Sequence, residues 1–425
     1  MLIRDATLAD GRTVDVRIAG ERIDAVGSQL SAGDDEVLDA AGKLLLPGAV
    51  DVHVHFREPG FAHKETWASG SRSAAAGGVT TVVDQPNTDP PTVTGEAFDE
   101  KAGLADASLV DYGINGGVTA EWAPDSLFER PLFALGEVFL ADSTGDMGID
   151  ETLFRAAAER AAEADVTVTV HAEDADLFHR AARERDDADA WSAYRSSEAE
   201  AVAVRRAVSV ADETGVDLHV AHTSTPAGAR IAAAAGATTE VTPHHFLLSR
   251  QDTPDLGTFG RMNPPLRSET RRRELFGLVA DGTVDVVATD HAPHTRAEKD
   301  AGIWDAPSGV PGVETLLPLL LEQARRGRLT HERVRDLTTA NPAAIFDLPR
   351  KGRIEAGADA DLVLVDPDAT REIRGERLHS NCGWTPFEGM DGVFPEVTMV
   401  RGKVAYRRAD GDERFGPARG ENVRE

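Results

Sequence analysis

Cysteine occurs once in this chain, at Cys382, so no internal disulfide can form and the fold must rest on its packed core. Lysine is nearly as scarce: only Lys43, Lys64, Lys101, Lys299, Lys351 and Lys403 are present, and arginine supplies the rest of the positive charge. Basic residues as a whole are few, 45 against 73 acidic ones, for a formal net charge of −28. Such a surface repels nucleic acid and anionic membranes, which argues against both as partners. Acidity and lysine depletion run together along the chain. That combination suits a salt-filled cytoplasm, where a Debye length of about 3 Å at 1 M screens self-repulsion. No segment approaches the roughly 20 unbroken apolar residues that span a bilayer. The opening Met1-Leu2-Ile3-Arg4-Asp5-Ala6 alternates like a strand, without the charged-then-apolar pattern of a secretory signal, so a cytoplasmic location is expected. Aromatics make up 5% of residues and apolar residues 41%, so the core is expected to be built of Ala, Val and Leu.

A length of 425 residues suits one large domain with a smaller one attached. Residues 1 to about 46 read as short strands and turns, including Thr13–Ile18 and Arg22–Val26, broken by Asp10-Gly11 and Ala19-Gly20. The rhythm then changes. Short β-branched runs ending in polar clusters alternate with Ala-rich helical stretches, the βαβα signature of a parallel sheet. Eight strands are predicted: Ala49–Phe56, Val79–Asp84, Val110–Asn115, Leu132–Leu140, Val166–His171, Asp217–His222, Thr238–Pro243 and Val284–Thr289. Helical stretches such as Glu151–Ala162, Glu198–Thr214 and Thr270–Ala280 lie between them. Eight such units over about 300 residues predict an α/β fold of the (β/α)₈ barrel type. An open doubly wound sheet would need a glycine fingerprint after its first strand, and none follows here. After about residue 350 short strands return, at Asp361–Val365, Val397–Val400 and Val404–Tyr406. The ends resemble each other and not the middle. The expected organisation is therefore a small β-sandwich domain formed from residues 1–48 and 350–425, around a barrel over 49–349. The charged, Gly-rich tail from about Asp410 is expected to be mobile.

Barrel chemistry sits at the C-terminal ends of the strands. Strand one ends Asp51-Val52-His53-Val54-His55-Phe56-Arg57, and His53 and His55, two apart, share a strand face from which both can reach one metal. Strand five ends at His171, strand six at His222, and strand eight runs into Asp290. One buried histidine is usually a core residue. Four histidines and an aspartate at four strand ends form a constellation, and imidazole with carboxylate suits Zn²⁺ or a similar divalent ion.

On these segments the chain resembles the amidohydrolase superfamily and, within it, the dihydroorotases. The matching stretches are Asp51–Gly60, Gly77–Thr88, Val170–Glu173, Ala221–Ser224, Thr242–His245, Met262-Asn263-Pro264-Pro265-Leu266-Arg267, Thr289–His294 and Asn381–Gly389. The resemblance runs in family order from about residue 1 to 407. It implies that His53 and His55 hold one metal, completed by Asp290, and that His171 and His222 hold the other. It also implies reversible cyclisation of N-carbamoyl-L-aspartate to L-dihydroorotate plus water, a step of pyrimidine biosynthesis. Asp290 would serve as the catalytic acid and base. Arg57, Asn87 and His294 are implied to clamp the substrate carboxylate, and Asn263 is read as a further substrate contact. Arg57 can grip such a group bidentately. A salt bridge to Glu58 or Asp51 is the structural alternative for it.

The chain departs from the family pattern on strand four. Many members carry there a carbamylated lysine that bridges two metals, whereas this chain has no lysine between Lys101 and Lys299. Leu135-Gly136-Glu137-Val138-Phe139-Leu140 puts Glu137 at that place. An unpaired buried carboxylate is costly and a metal would offset the cost, so Glu137 is expected to replace the bridging carbamate, with Asp142 further out as a second choice. Pairing of Glu137 with a nearby arginine is the alternative. Two Zn²⁺ per subunit are expected, or one, because the glutamate side chain is shorter. The Gly- and Pro-rich Ala306–Gly312 suits a loop over the site, and His63, His219, His244 and His245 are read as structural or surface residues. Candidate macromolecular partners are a second copy of the chain, in a homodimer, and aspartate transcarbamoylase. Two other functions remain open: hydrolysis of a different cyclic amide, by a hydantoinase, dihydropyrimidinase or allantoinase, and a non-catalytic subunit supporting aspartate transcarbamoylase.

Overall fold

Eight short parallel strands wind into a barrel in the computed structural model, which describes residues 1–140 and 147–425. In order they are Ala49–Val54, Val79–Asp84, Asp111–Ile114, Leu135–Leu140, Val168–Ala172, Leu218–Val220, Thr238–Val241 and Val286–Val287, hereafter barrel strands one to eight. Strands one to three pair in one sheet and four to eight in another. Two seams close the ring. Gly116 pairs with Leu135 between strands three and four, and Val54 pairs with His291 between strands eight and one. Backbone bonds from His55 N to His291 O at 2.8 Å and from Gly136 N to Gly116 O at 2.7 Å hold them shut. Closure leaves no free edge.

Each predicted strand is present, and most are shorter than their apolar runs. Strand one stops at Val54 and strand eight keeps two residues. His55, His222 and Asp290 lie just beyond the shortened strand ends, while His53, Glu137 and His171 stay within their strands. The intervening helices are set by local signals. Ser196 caps Ser197–Thr214, accepting from Ala199 N, and Gly215 ends that helix at φ 73°.

Both chain ends build one nine-stranded sheet, in which Leu44–Pro47 pairs antiparallel with Leu362–Val365. Alternation decides its two faces. Leu45, Leu362 and Leu364 join Ile3, Val16, Ile18 and Met399 in a separate small core. Leu44, Leu46, Val363 and Val365 turn instead into the main core with Val79 and Leu317.

The tail is docked, contrary to the expectation of mobility. Asp412–Phe415 pairs with Lys403–Ala409. Beyond it, Tyr112 N bonds Glu421 O and Val423 N bonds Tyr112 O, each at 2.9 Å. Charge and glycine content suggested disorder, but backbone pairing to strand three and the Arg424 guanidinium, which donates to Phe346 O at 2.7 Å, hold the tail in place.

Buried ion pairs join the terminal sheet to the barrel. Lys351 Nζ lies 2.6 Å from Asp111 of strand three, 2.6 Å from Asp361 and 3.4 Å from Asp359. Removing the cation leaves Asp361 without an ion-pair partner among the described residues, while Asp111 keeps Arg401 at 3.4 Å and Asp359 keeps Arg350 at 3.3 Å. Lys351→Met is therefore expected to lower unfolding stability by about 3–5 kcal/mol, measured by denaturant titration at high salt. A loss below about 1 kcal/mol would mean that the network is near neutral.

Candidate metal and substrate site

The rim residues converge on one point above the barrel. His53 projects from strand one, with His55 just beyond its end. Glu137 lies inside strand four and His171 inside strand five. His222 and Asp290 follow strands six and eight. All six are buried. Three candidate site residues have left-handed backbones, Arg57 at φ 67°, His222 at φ 30° and Asp290 at φ 47°. Such strain at non-glycine residues persists where surrounding structure holds a functional geometry.

Two compact donor groups share His53: His53 with His55 and Asp290, and His53 with Glu137 and His222, the ligand atoms of each lying within 4.8 Å of one another. His55 Nε2 is 2.9 Å from Asp290 Oδ1. Glu137 lies between three imidazoles, with Oε1 2.6 Å from His222 Nε2 and 3.0 Å from His171 Nδ1, and Oε2 3.4 Å from His53 Nε2. His171 stands outside both compact groups and reaches the cluster through Glu137 and through His222 Nε2 at 3.1 Å. The arginine pairing considered for Glu137 does not occur among the described residues, where its side chain meets only histidines. Asp142 lies outside the described residues.

His53 Nε2 supplies the test of metal fit. Among the described residues it is buried without a hydrogen-bond partner. Glu137 Oε2 stands 3.4 Å away and Asp290 Oδ1 3.6 Å away. A buried ring nitrogen that stands between two carboxylates without a hydrogen bond to either belongs to a donor set suited to a divalent cation.

Outer partners orient these donors. Glu240 Oε1 lies 2.6 Å from His53 Nδ1 and accepts its proton, which leaves the Nε2 lone pair for the cluster. The same oxygen accepts His222 N–H at 3.0 Å. Burial raises the Glu240 pKa, but His53 and His219 outweigh it and hold the carboxyl well below the usual range. Glu137 behaves alike: burial opposes ionisation, and His222 and His171 overcome it. Burial also raises Asp290, but His55 and His53 bring it below its ordinary value. All three are carboxylates at neutral pH. His55 Nδ1 meets Asn87 Oδ1 at 2.7 Å, so Asn87 touches a cluster histidine as well as the cavity.

Beside the cluster opens a cavity of about 390 Å³, lined by Arg57, Asn87, Asn263, Asp290 and His294 among others. Arg57 Nε donates to Pro293 O at 3.2 Å, and Nη2 lies 3.3 Å from His294 Nε2. Neither Glu58 nor Asp51 pairs with it among the described residues: Glu58 accepts from Trp67 N, and Asp51 from Thr289. Burial presses the Arg57 guanidinium down to about 10, still cationic at neutral pH. His294 accepts from Lys64 Nζ at Nδ1, 3.1 Å, and donates from Nε2 to Ser308 O, 2.9 Å. Burial, then Arg57 and Lys64, keep it neutral. Ser308 lies in the 306–312 loop. Gly309, at φ 132°, brings that loop so close that a Cβ would sit 2.6 Å from Ala292 O. Asn263 Oδ1 accepts from Trp191 Nε1 at 3.1 Å.

Against known families, the model described as the amidohydrolase family matches residues 44–405. The chain belongs to the amidohydrolase family. Dihydroorotase of Halobacterium salinarum is 69% identical to it over 425 residues, covering 100% of both chains. Dihydroorotase of Methanosarcina acetivorans is 43% identical over 414 residues, covering 93% of this chain and 89% of its own. Among solved structures, the L-hydantoinase (dihydropyrimidinase) of Arthrobacter aurescens superposes with a TM-score of 0.93 at 27% identity, covering 99% of this chain and 98% of that one. No helix among the described residues is long and apolar enough to cross a membrane.

In this amidohydrolase several supporting residues escaped sequence reading. Glu240, in the Thr238–Val241 strand, orients His53 and His222. An acid inside a β-branched run was the available signal, since it must find partners when buried. Gln85 receives Glu137 N–H at 2.9 Å and Asn115 Nδ2 at 3.1 Å, steadying strand four. Arg195 Nε pairs with Glu173 at 3.0 Å beneath His171. His219, read as facing away from the cluster, reaches Glu240 Oε2 at 3.3 Å and supports it from below. His245 bonds Pro264 O at 2.9 Å, holding the Asn263 turn, while His63 is exposed beside Glu298. His244 is buried, and burial followed by His222 pushes it down to about 3.

Proposed function

We propose that this amidohydrolase is a dihydroorotase, interconverting N-carbamoyl-L-aspartate and L-dihydroorotate plus water in de novo pyrimidine biosynthesis. One observation carries the reading: a divalent-cation donor cluster and a buried guanidinium that has no carboxylate partner among the described residues face the same cavity. The dihydroorotase relatives over the whole chain support it.

His53, His55 and Asp290 would hold one ion, and His171 and His222 a second, with Glu137 shared between them in place of a carbamate. Zn²⁺ suits these donors. When bound, the metal supplies Lewis acidity at the ring amide. Asp290 handles the proton. In ring opening its carboxylate takes a proton from the attacking water and returns it to the departing ring nitrogen, so the C–N bond breaks as the C–O bond forms. Ring closure runs these transfers backwards. Arg57 pairs with the carboxylate that the ring retains, Asn87 adds an amide contact, and His294 presents a neutral ring to it. Asn263, held by Trp191, faces the rest of the ring.

The function is tested by assaying purified protein at high salt for both directions, with metal content measured on the same sample. Turnover of N-carbamoyl-L-aspartate supports the reading. Turnover of hydantoin or dihydropyrimidine alone would replace it with the activity named for the Arthrobacter aurescens neighbour. The carboxylate clamp has its own test. Arg57→Gln is expected to raise KM for dihydroorotate about 30-fold, with a smaller change in kcat, from losing a charge-assisted pair. An unmoved KM would place the carboxylate elsewhere.

A further inference from the structure

In a chain with so few lysines, one that is fully buried beside the cavity needs a reason, and Lys299 is such a residue. It ends the short helix Arg296–Lys299, which Thr295 caps directly after His294. Its Nζ donates to three backbone carbonyls: Arg261 O at 3.0 Å, Pro307 O at 2.9 Å and Gly309 O at 3.1 Å. These engage all three donors of an ammonium. Among the described residues no carboxylate is among its bonds. The nearest ring is that of Trp384, whose centre lies 5.6 Å from Nζ.

Burial, then Arg261 and Arg57, press the Lys299 pKa down to about 7, which measures how poorly this place suits a cation. A buried charge without a counter-charge is costly. What the ammonium supplies against that cost is a junction between two segments. Arg261 and Asn263 line the cavity from one of them, and Pro307, Ser308 and Gly309 line it from the other, while Lys299 stands behind both. Pro307 O and Gly309 O turn to Lys299. Ser308 O, between them, accepts instead from His294 Nε2 at 2.9 Å. The loop is thus gripped on two sides. Backbone alone joins the segments through Gly309 N to Arg261 O at 3.0 Å. A planar guanidinium could not aim donors at three carbonyls converging on one point, so a chain that elsewhere uses arginine has lysine here.

We propose that Lys299 is a positioning residue for substrate binding: its ammonium ties the 307–309 loop to the 261–263 turn and holds Ser308, His294 and Asn263 as one fixed wall of the cavity. It acts through these groups and not on the reacting atoms, so its influence falls on binding before chemistry. Both the open-chain and the ring compound meet the same wall, and both depend on it alike. This rests on the dihydroorotase reading of the site.

The test is steady-state kinetics in both directions at fixed high salt, with metal content and amide hydrogen exchange measured on the same samples, for Lys299→Met and Lys299→Gln. Lys299→Met keeps the apolar stem and removes all three donors. It is expected to raise KM for N-carbamoyl-L-aspartate and for L-dihydroorotate about tenfold each, with kcat within about threefold of wild type and metal content unchanged. Lys299→Gln keeps two donors and gives a smaller rise. In both variants amide exchange speeds up in the 306–312 loop and stays at the wild-type rate in the barrel strands. A fall in kcat with KM unmoved would overturn the positioning role. Faster exchange throughout the barrel would do the same, since it marks a lysine that merely supports the fold. If Lys299→Met does not fold, Lys299→Gln decides the matter by the same readouts. Wild-type protein that turns over neither compound removes the functional reading and the positioning role together. Wild-type turnover with unmoved variant KM removes the positioning role alone.

Discussion

Asp290→Asn is expected to lower kcat for ring opening and ring closure alike by about 10³-fold, within the range that a positioned acid and base contributes. The substitution is close to isosteric, and an amide oxygen can still meet His55 Nε2, now 2.9 Å from Asp290 Oδ1. What disappears is the basic carboxylate. His55 and His53 hold Asp290 ionised against the opposing effect of burial, so at neutral pH it is ready to accept a proton. An amide can neither take that proton nor return it to nitrogen. Asp290 is also proposed as a metal donor, so metal content must be measured alongside. Lost turnover with metal retained assigns the loss to proton transfer. Lost turnover with lost metal assigns it to ligation. A kcat within about threefold of wild type would sink both roles.

Glu137→Gln is expected to remove metal and with it at least about 10²-fold of activity, since ligand-sphere changes of even outer groups cost that much. The carboxylate lies against three imidazoles from three strands: His53 on strand one, His171 on strand five and His222 after strand six. No lysine stands there to be carbamylated. The neutral amide keeps the shape and loses the charge that two cations would share. Metal content falling from two per chain to one or none supports the bridge. Wild-type protein holding a single ion, with an active Glu137→Gln variant, would make the site mononuclear. Unchanged metal and activity would end the bridging role. Gly136 restricts any redesign of this strand, because a Cβ there would lie 2.0 Å from Thr169 Oγ1.

Much of this was legible in the linear order of residues. Strand rhythm predicts the barrel because each strand is a local, apolar, β-branched run. Polar residues at the ends of those runs mark the rim, and His53, His55, His171, His222 and Asp290 do come together there. Strand limits were less legible. Leu132–Leu140 is predicted as one run, but the ladder with strand five begins at Leu135, although Phe133 N already bonds Ile114 O of strand three at 2.9 Å.

The sequence by itself determined the charge balance, the missing cysteine pair, the missing lysine on strand four and the kinds of donor available, because these are properties of composition and of residues close in the chain. Only the tertiary structure decided the partners. Glu240 meets His53 across 187 positions and Lys351 meets Asp111 across 240. The tail settles against strand three. No periodicity encodes those meetings. They follow from where the ring closes and where the chain ends return to it, and the cost of burying an unpaired charge then selects which side chains can occupy them.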